Sequence, residues 1–421
     1  KMLRKMAIQK GRVEEVLNLL SAIYGNPAAT RLWTKKNHVY MTHNCKLKNS
    51  NIDGQVYYLN DVKTTEGSRT KASMNNFLVV GLHVDDMLIV GNDHMKEEFC
   101  KQYEKACDGQ VKWQKPVEVF TSMEVKQDLV NGHTELTQSK YWDLAAIRFK
   151  EFLPDKFNVH NPIGQGYKFQ EATDEEHDEA KHLPYMELVG TLNYPTTMTK
   201  LECRLHVSKL SKYLRKWSKE HWDKAIKVLM YCITTKKIGI IYSRSLDEHG
   251  VNILYDHADS GFSPERSDGC RYMMMNGAVT SGTAKQHPTV DDSSTLAEIT
   301  ECKYAADDVV TFRGFLGELG FELEEPSIIY QDNRPAIMIA NGEKSLGSKS
   351  RHMLIRCAKL SEHIADQDVM LKWKSTVQLI ADLGTKFHGK ERFEFLRDLM
   401  NGYALVRASQ QEYDVPKNVT S

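Results

Sequence analysis

The chain has 421 residues, 41% of them hydrophobic and 27% charged, enough to bury a core in about two to four domains of ordinary size. Lys plus Arg and Asp plus Glu both number 56, so the formal net charge is zero and any basic footprint for a nucleic acid must be local. No apolar run reaches the roughly 18 residues of a membrane span and no signal-peptide pattern is present, which predicts a protein without a membrane partner. The eight cysteines show no CxxC or other metal-ligand spacing and read as reduced, mostly buried thiols of an intracellular protein.

Residues 1 to about 30 read as helical and basic and pass into SAIYGNPAATRLW. DGQVYYLN (53–60) and residues 76–90 read as strands of an antiparallel hairpin across a polar, Gly-containing loop. KEEFCKQYEKAC (96–107) reads as a helix, with short strands following to about 137. EATDEEHDEA (171–180) carries six acids and reads as a linker. Residues 184–236 are helical in pattern, with LHVSKLSKYLRKW and HWDKAIKVLMYC as amphipathic stretches. At about 246 the pattern changes to the strands VNILYDHAD, CRYMMM and AVTSGTAKQ, the last two joined by an Asn276-Gly277 turn. A helix over 294–317, strand SIIYQDN, helices RPAIMIAN and RHMLIRCAKLSEHIAD, strand VMLKWK and a last helical segment complete the chain. Three early strands followed by alternating helix and strand describe a mixed sheet with helices packed on it.

Two sets of acids call for an account. Asp85 and Asp86 interrupt the apolar run NNFLVVGLHVDDMLIVGND at a hairpin turn or a strand edge; strand alternation would point one carboxylate to each face, whereas a tight turn lets both lie near its tip. A polar turn is the plain alternative. In the C-terminal part, Asp256 lies on an apolar strand, Glu298 opens a helix after DDSST, Asp332 ends SIIYQD and Asp382 sits in LIADLGTK. Four acids at the ends of separate elements can converge at one sheet edge, where only cations make such crowding favourable. Paired Mg²⁺ ions about 4 Å apart would activate a water and stabilise the leaving 3′-oxygen of a phosphodiester. Asp259, Asp291, Asp292 and Asp307 read as turn or cap residues, and Glu298 alone would be a helix N-terminal residue favoured by the dipole.

The HVDD stretch resembles the YVDD motif of reverse transcriptases from copia-type LTR retrotransposons, with His83 in the tyrosine position. IYGNPAATRLW (23–33) is similar to LYGLKQAPRLW, FTSMEV (120–125) to FLGMEV, and PYMELVGTLNYPTTMTK (184–200) to PYRELVGSLMYLATATRPD. The later stretches YDHAD, KQHPTV with SSTLAE, YQDN, SRHMLIR and QLIADLGTK resemble the ribonuclease H motifs YSDAD, KKQPTVALSSTEAEY, YCDN, RTKHIDIRYHFI and QLADILTK. Leu296 stands where the family has a non-ligand Glu, and the tryptophan of the SWSSK strand is absent.

The resemblance covers roughly residues 11 to 400. It implies an α+β multidomain fold: a partial polymerase palm lacking motif A (1–160), a linker and helical, thumb-like connection (161–245), a ribonuclease H-like mixed sheet with helices on both faces (246–390) and a C-terminal tail (391–421). It implies metal ligation by Asp256, Glu298, Asp332 and Asp382, and by Asp85 and Asp86 in the palm, with Mg²⁺ as cofactor and Mn²⁺ as its substitute. The implied activity is hydrolysis of the RNA strand of RNA·DNA hybrids. Polymerase activity would need the upstream motif A aspartate, and none of the 23 residues before Tyr24 is Asp. The alternatives are a complete RNA-directed DNA polymerase with further N-terminal residues and an inactive element-derived assembly protein.

The expected partner is an RNA·DNA hybrid or template-primer, with self-association or the N-terminal polymerase part as further partners. Tyr24, Gly25, Lys285, Arg351, His352, Arg356, Lys372 and Trp373 are the expected nucleic-acid contacts. Arg204, Lys209, Lys212, Arg215, Lys216 and Lys219 with Trp217 form a second basic region that could follow a duplex. The expected location is cytoplasmic, in a virus-like particle, or nuclear.

Overall fold

The computed structural model describes residues 27–60, 76–107, 111–244, 249, 252–344 and 351–409, with backbone alone at 27–29, 351–354 and 408–409. It divides into two compact units, residues 1–113 and 114–421.

In the first unit, helix α1 (Pro27–Val39) leads to an antiparallel sheet of β1 (Lys48–Asn49), β2 (Val56–Asn60), β3 (Phe77–His83) and β4 (Asp86–Gly91), followed by helix α2 (Asp93–Ala106). β2 and β3 pair antiparallel from Val56 opposite Gly81 to Asn60 opposite Phe77, as the apolar alternation of both runs predicts. The apolar run 76–90 is two strands rather than one. It folds back at Val84-Asp85, so that His83 faces Asp86. Val84 adopts φ 60°, the left-handed first central position of a two-residue turn, which is costly for a β-branched residue. Leu78 and Val80 point inward from β3 and meet Phe99 and Tyr103, one turn apart on α2, in a core with Met41 and Tyr57.

The second unit starts with the antiparallel strands β5 (Val119–Phe120), β6 (Met123–Asp128) and β7 (His133–Thr137), then helices α3 (Ser139–Arg148), α4 (Asp174–Ala180), α5 (Tyr185–Asn193), α6 (Arg204–Ser211) and α7 (Lys219–Thr234). β8 (Ile240–Ser243) returns to pair with β7, closing a four-stranded sheet. The acidic run expected as a linker contains α4. Thr173 and Glu176 form a reciprocal capping box, three acids of the first turn complement the helix dipole, and Ala180 is buried, so an acid-rich segment is held as structure.

The larger sheet comprises β9 (Leu254–Gly261), β10 (Asp268–Met275), β11 (Ala278–Gln286), β12 (Ser327–Gln331) and β13 (Val369–Trp373), in the order β11-β10-β9-β12-β13. The first three are antiparallel and the last two join parallel to β9. Asn276 and Gly277 both take positive φ, 52° and 78°, in the turn between β10 and β11. Helices α8 (Ser294–Glu318), α9 (Arg334–Ala340) and α10 (Arg351–Ala365) cover one face. There Leu254, Ala258 and Ile329 meet Cys302, Ala305, Ala306 and Leu360. Tyr255, Tyr272 and Met274 point the other way, into a core with Leu188, Leu229 and Phe393 from α5, α7 and helix α11 (Lys390–Met400). Helix α12 (Tyr403–Ser409) ends the described chain. This is a ribonuclease H-like mixed sheet with helices on both faces, the fold class that the family resemblance implies; the order of predicted elements by itself describes a mixed sheet with helices packed on it. Among the described residues, no helix is long and apolar enough to cross a membrane.

Candidate active site

The parallel register between β12 and β9 builds the site. Ile329 lies opposite Asp256 and Tyr330 opposite His257, and continuing that ladder brings Asp332 beside Asp259 at the carboxyl end of β9. Glu298 arrives from the start of α8, which packs along β9. Ligand oxygens of Asp259, Glu298 and Asp332 all lie within 4.8 Å of one another, the sole such group among the described residues. Asp259 and Glu298 are buried and Asp332 is half-buried.

Neighbouring side chains hold these carboxylates in place. Thr385 Oγ1 donates to Asp259 Oδ2, and Thr376 Oγ1 donates to Asp332 Oδ2 at 2.7 Å. Gln331 Nε2 donates to Glu298 Oε2 at 3.1 Å, while its Oε1 accepts the backbone N–H of Asp332 (2.8 Å) and of Asn333 (3.0 Å). The Asp259 carboxyl is pushed up to about 6, burial first and then the Asp382 and Asp332 carboxylates raising it against the opposing pull of Lys386 and the Thr385 hydroxyl. Burial likewise raises Glu298 well above the usual carboxylate range, reinforced by Asp259 and Asp332. Three carboxyls brought this close and offering only oxygen donors suit a hard divalent cation, whose charge relieves their crowding. The group offers ligands for a divalent cation.

Asp382 stands beside this group without belonging to it. It sits in the 3₁₀ turn Ile380–Gly384, with Lys386 Nζ 2.6 Å from its Oδ1 and Arg392 Nη2 2.6 Å from its Oδ2. Lys386 Nζ is also 3.8 Å from Asp259 Oδ2.

Of the four acids that the sequence singles out in this half, the structure brings Glu298 and Asp332 together. The strand aspartate that joins them is Asp259, not Asp256. Asp256 is three positions earlier, and strand alternation turns it to the α8 face. It is 1% exposed and neither carboxylate oxygen has a well-formed hydrogen bond. Burial pushes its pKa far up, Arg271 opposes this, and Asp308 and Glu301 add to it. A signal for Asp259 existed: ligand sites in such sheets lie at the carboxyl ends of strands, and Asp259 is the nearer of the two. Asp85 and Asp86 are exposed at their hairpin tip, and no third acid joins them in a ligand group among the described residues.

The expected nucleic-acid contacts divide similarly. Tyr24 and Gly25 lie outside the described residues, and Arg351 and His352 lie on α10 at positions described by backbone alone. Lys285 and Lys372 are exposed. Trp373 is 48% exposed, its Nε1 donates to the Asp332 carbonyl at 3.1 Å, and Arg334 stacks on its ring at 4.5 Å. Arg356 is engaged internally, donating to Thr300 Oγ1 (3.0 Å) and Thr289 Oγ1, with Asp291 Oδ1 at 3.4 Å. In the second basic region Lys209 and Lys212 face Asp268, Lys216 pairs with Asp174 and Lys219 with Asp223. Trp217 there is a core residue, stacked on Tyr185 and donating to the Ala180 carbonyl at 3.0 Å.

No protein-family model matches the chain. It is 25% identical over 399 residues to the retrovirus-related Pol polyprotein from transposon TNT 1-94 of Nicotiana tabacum, covering 93% of this chain and 28% of that protein. It is 23% identical over 401 residues to the corresponding polyprotein from transposon RE2 of Arabidopsis thaliana, covering 90% of this chain and 24% of the relative. The chain thus spans about a quarter of the length of these curated relatives and is distantly homologous to them. Among solved structures it is similar to the foamy viral protease-reverse transcriptase dRH in complex with double-stranded DNA, at TM-score 0.40 and 11% identity, covering 83% of this chain and 49% of that one.

Proposed function

We propose that the second unit is a Mg²⁺-dependent endonuclease that hydrolyses the RNA strand of RNA·DNA hybrids, within a copia-type retrotransposon Pol polyprotein. The observation that carries this reading is the convergence of Asp259, Glu298 and Asp332 at the carboxyl ends of β9 and β12, beside the start of α8. Asp259, Glu298 and Asp332 would hold Mg²⁺, which would supply an activated water and stabilise the charge of the leaving 3′-oxygen. The water oxygen bonds to phosphorus and the bond from phosphorus to the 3′-oxygen breaks, leaving 3′-hydroxyl and 5′-phosphate ends. The three carboxylates hold the ion, and Thr385, Gln331 and Thr376 fix their orientation. Exposed Lys285, Lys372 and Trp373 are suited to the hybrid backbone, with the 2′-hydroxyl distinguishing the RNA strand.

The test is cleavage of a labelled RNA·DNA hybrid by the purified chain and by its Asp332→Asn variant. Expected are cleavage that a chelator abolishes and a loss of about a hundredfold or more in the variant, the equivalent of about 3 kcal/mol or more of lost metal stabilisation. A folded chain that leaves the hybrid intact, or a variant as active as the parent, overturns the reading.

The paired acids at the exposed tip of the β3–β4 hairpin favour a second reading for the first unit, RNA-directed DNA polymerisation. That activity would need another carboxylate contributed from outside the described residues, because two adjacent side chains on one turn hold two ions poorly.

A further inference from the structure

We propose that Arg334 is a phosphate clamp: stacked on Trp373 at the rim of the acidic group, it grips a phosphodiester of the RNA strand beside the one that is cut. The proposal rests on the reading of the second unit as a nuclease for RNA·DNA hybrids, and it adds a binding residue that the sequence motifs leave aside.

Two strand ends fix the placement. Trp373 closes β13 opposite Gln331 of β12, and its Nε1 donates to the Asp332 carbonyl at 3.1 Å. That bond orients the ring although the residue is exposed. Asn333 then caps α9, accepting the Ala336 N–H at 3.0 Å. Arg334, the first residue of that helix, returns over the indole with its guanidinium carbon 4.5 Å from the ring centroid. A candidate ion ligand, a helix cap and a stacked cation are thus consecutive in the chain.

The charge of Arg334 is uncommitted. The side chain is exposed, and among the described residues it forms no ion pair, not even with Asp332 two positions before it. Other cations that read as basic surface are neutralised: Lys209 by Asp268, Lys216 by Asp174, Lys219 by Asp223 and Arg356 by Asp291. Stacking occupies the face of the guanidinium and leaves its N–H edges in the plane, the fork that pairs with two phosphate oxygens. The ring also limits the freedom of a long side chain before any ligand arrives, which lowers the entropic cost of binding. Standing outside the carboxylate group, Arg334 is placed for the neighbouring phosphate of the strand and not for the reacting one. It is a binding residue, and its loss should act on affinity and not on the chemical step.

The test is equilibrium binding. A fluorescein-labelled RNA·DNA hybrid is titrated with the full chain by anisotropy, with Ca²⁺ in place of Mg²⁺ and the strand's integrity checked on a gel, at salt from about 50 to 200 mM. Arg334→Ala should weaken binding about tenfold and reduce the salt slope by about one, the counterion of one phosphate. Arg334→Lys should keep the slope and still bind more weakly than the parent, because the charge stays and the fork is lost. Both effects should persist on a hybrid whose DNA strand carries neutral methylphosphonate linkages, and with Mg²⁺ the loss in Arg334→Ala should appear in KM with kcat unchanged. Urea unfolding of the variants should match the parent, since the side chain is exposed. Variants that bind with the parent's affinity and slope overturn the clamp and leave the hybrid reading intact. Arg334→Lys as tight as the parent overturns the stacked fork, an effect lost on the neutral DNA strand overturns the assignment to RNA, and a fall in kcat overturns the placement outside the reacting group. A folded parent that does not bind the hybrid overturns the reading on which the clamp rests.

Discussion

Neutralising His287 should weaken the second unit in a way that depends on pH. The ring is buried, its Nδ1 2.7 Å from Asp291 Oδ2 and its Nε2 2.9 Å from Glu301 Oε2. Burial disfavours the charged ring, but the hydrogen bonds to Asp291 and Glu301 outweigh it and push the pKa from 6.5 up to about 9. A raised folded-state pKa means that the contribution is complete below 6.5 and disappears as the pH rises through about 9. The difference between those values corresponds to about 3 kcal/mol. The same network reaches the candidate site, because Asp291 also accepts from Thr300 at 3.2 Å and Glu301 lies one turn beyond Glu298 on α8. The assay is urea unfolding of the parent and of His287→Gln, followed by fluorescence of Trp142, Trp217 and Trp222, at a series of pH values. The variant should be less stable by about 2–3 kcal/mol on the acid side, and the gap should close as the base range is entered. A gap that stays constant between pH 6.5 and 9 would refute the charged imidazolium as its source.

Asp256→Asn should raise unfolding stability at neutral pH by about 1–3 kcal/mol, because it replaces a buried carboxyl lacking good hydrogen bonds with a neutral isostere. Asp259→Asn should abolish Mn²⁺ binding at the centre, and comparing the two variants by calorimetric Mn²⁺ titration separates the two aspartates of β9. Lys200→Met should cost about 3–5 kcal/mol in urea unfolding, since it leaves the buried Glu202 without its cation. The Lys200 ammonium is 3.4 Å from Glu202 and donates to Thr235 and Ile238 carbonyls at 2.8 Å each. A Lys200→Met protein as stable as the parent would show that this buried pair contributes nothing net.

Much of the architecture was legible in local pattern. The Asn276-Gly277 turn, the long helix α8 after its Ser293 cap and the strands β9 to β13 all follow from periodicity and turn chemistry, which act within a few residues. Patterns failed where a distant partner decides. The acid-rich run at 171–180 has the composition of a linker, yet Ala180 and the Trp217 ring beside it are buried, so packing recruits it as a helix. Arg356 and Lys216 read as basic surface for a nucleic acid, and each instead meets an acid far away in sequence, Asp291 and Asp174. Charge clusters in a sequence give no measure of that neutralisation.

The order of motifs and the alternation of apolar residues determined, before any coordinates, that the C-terminal half is a mixed sheet with acids near its strand ends. Which acids meet was decided by tertiary structure alone. Asp256 and Asp259 differ by three positions on one strand, which places them on opposite faces, and only the register with β12 shows that Asp259 lies beside Asp332. The fate of Asp382 was equally hidden. Its neighbours Lys386 and Arg392 are visible in the sequence, but a carboxylate is a metal ligand or an ion-pair partner according to which cation reaches it in the fold, and here two side chains do.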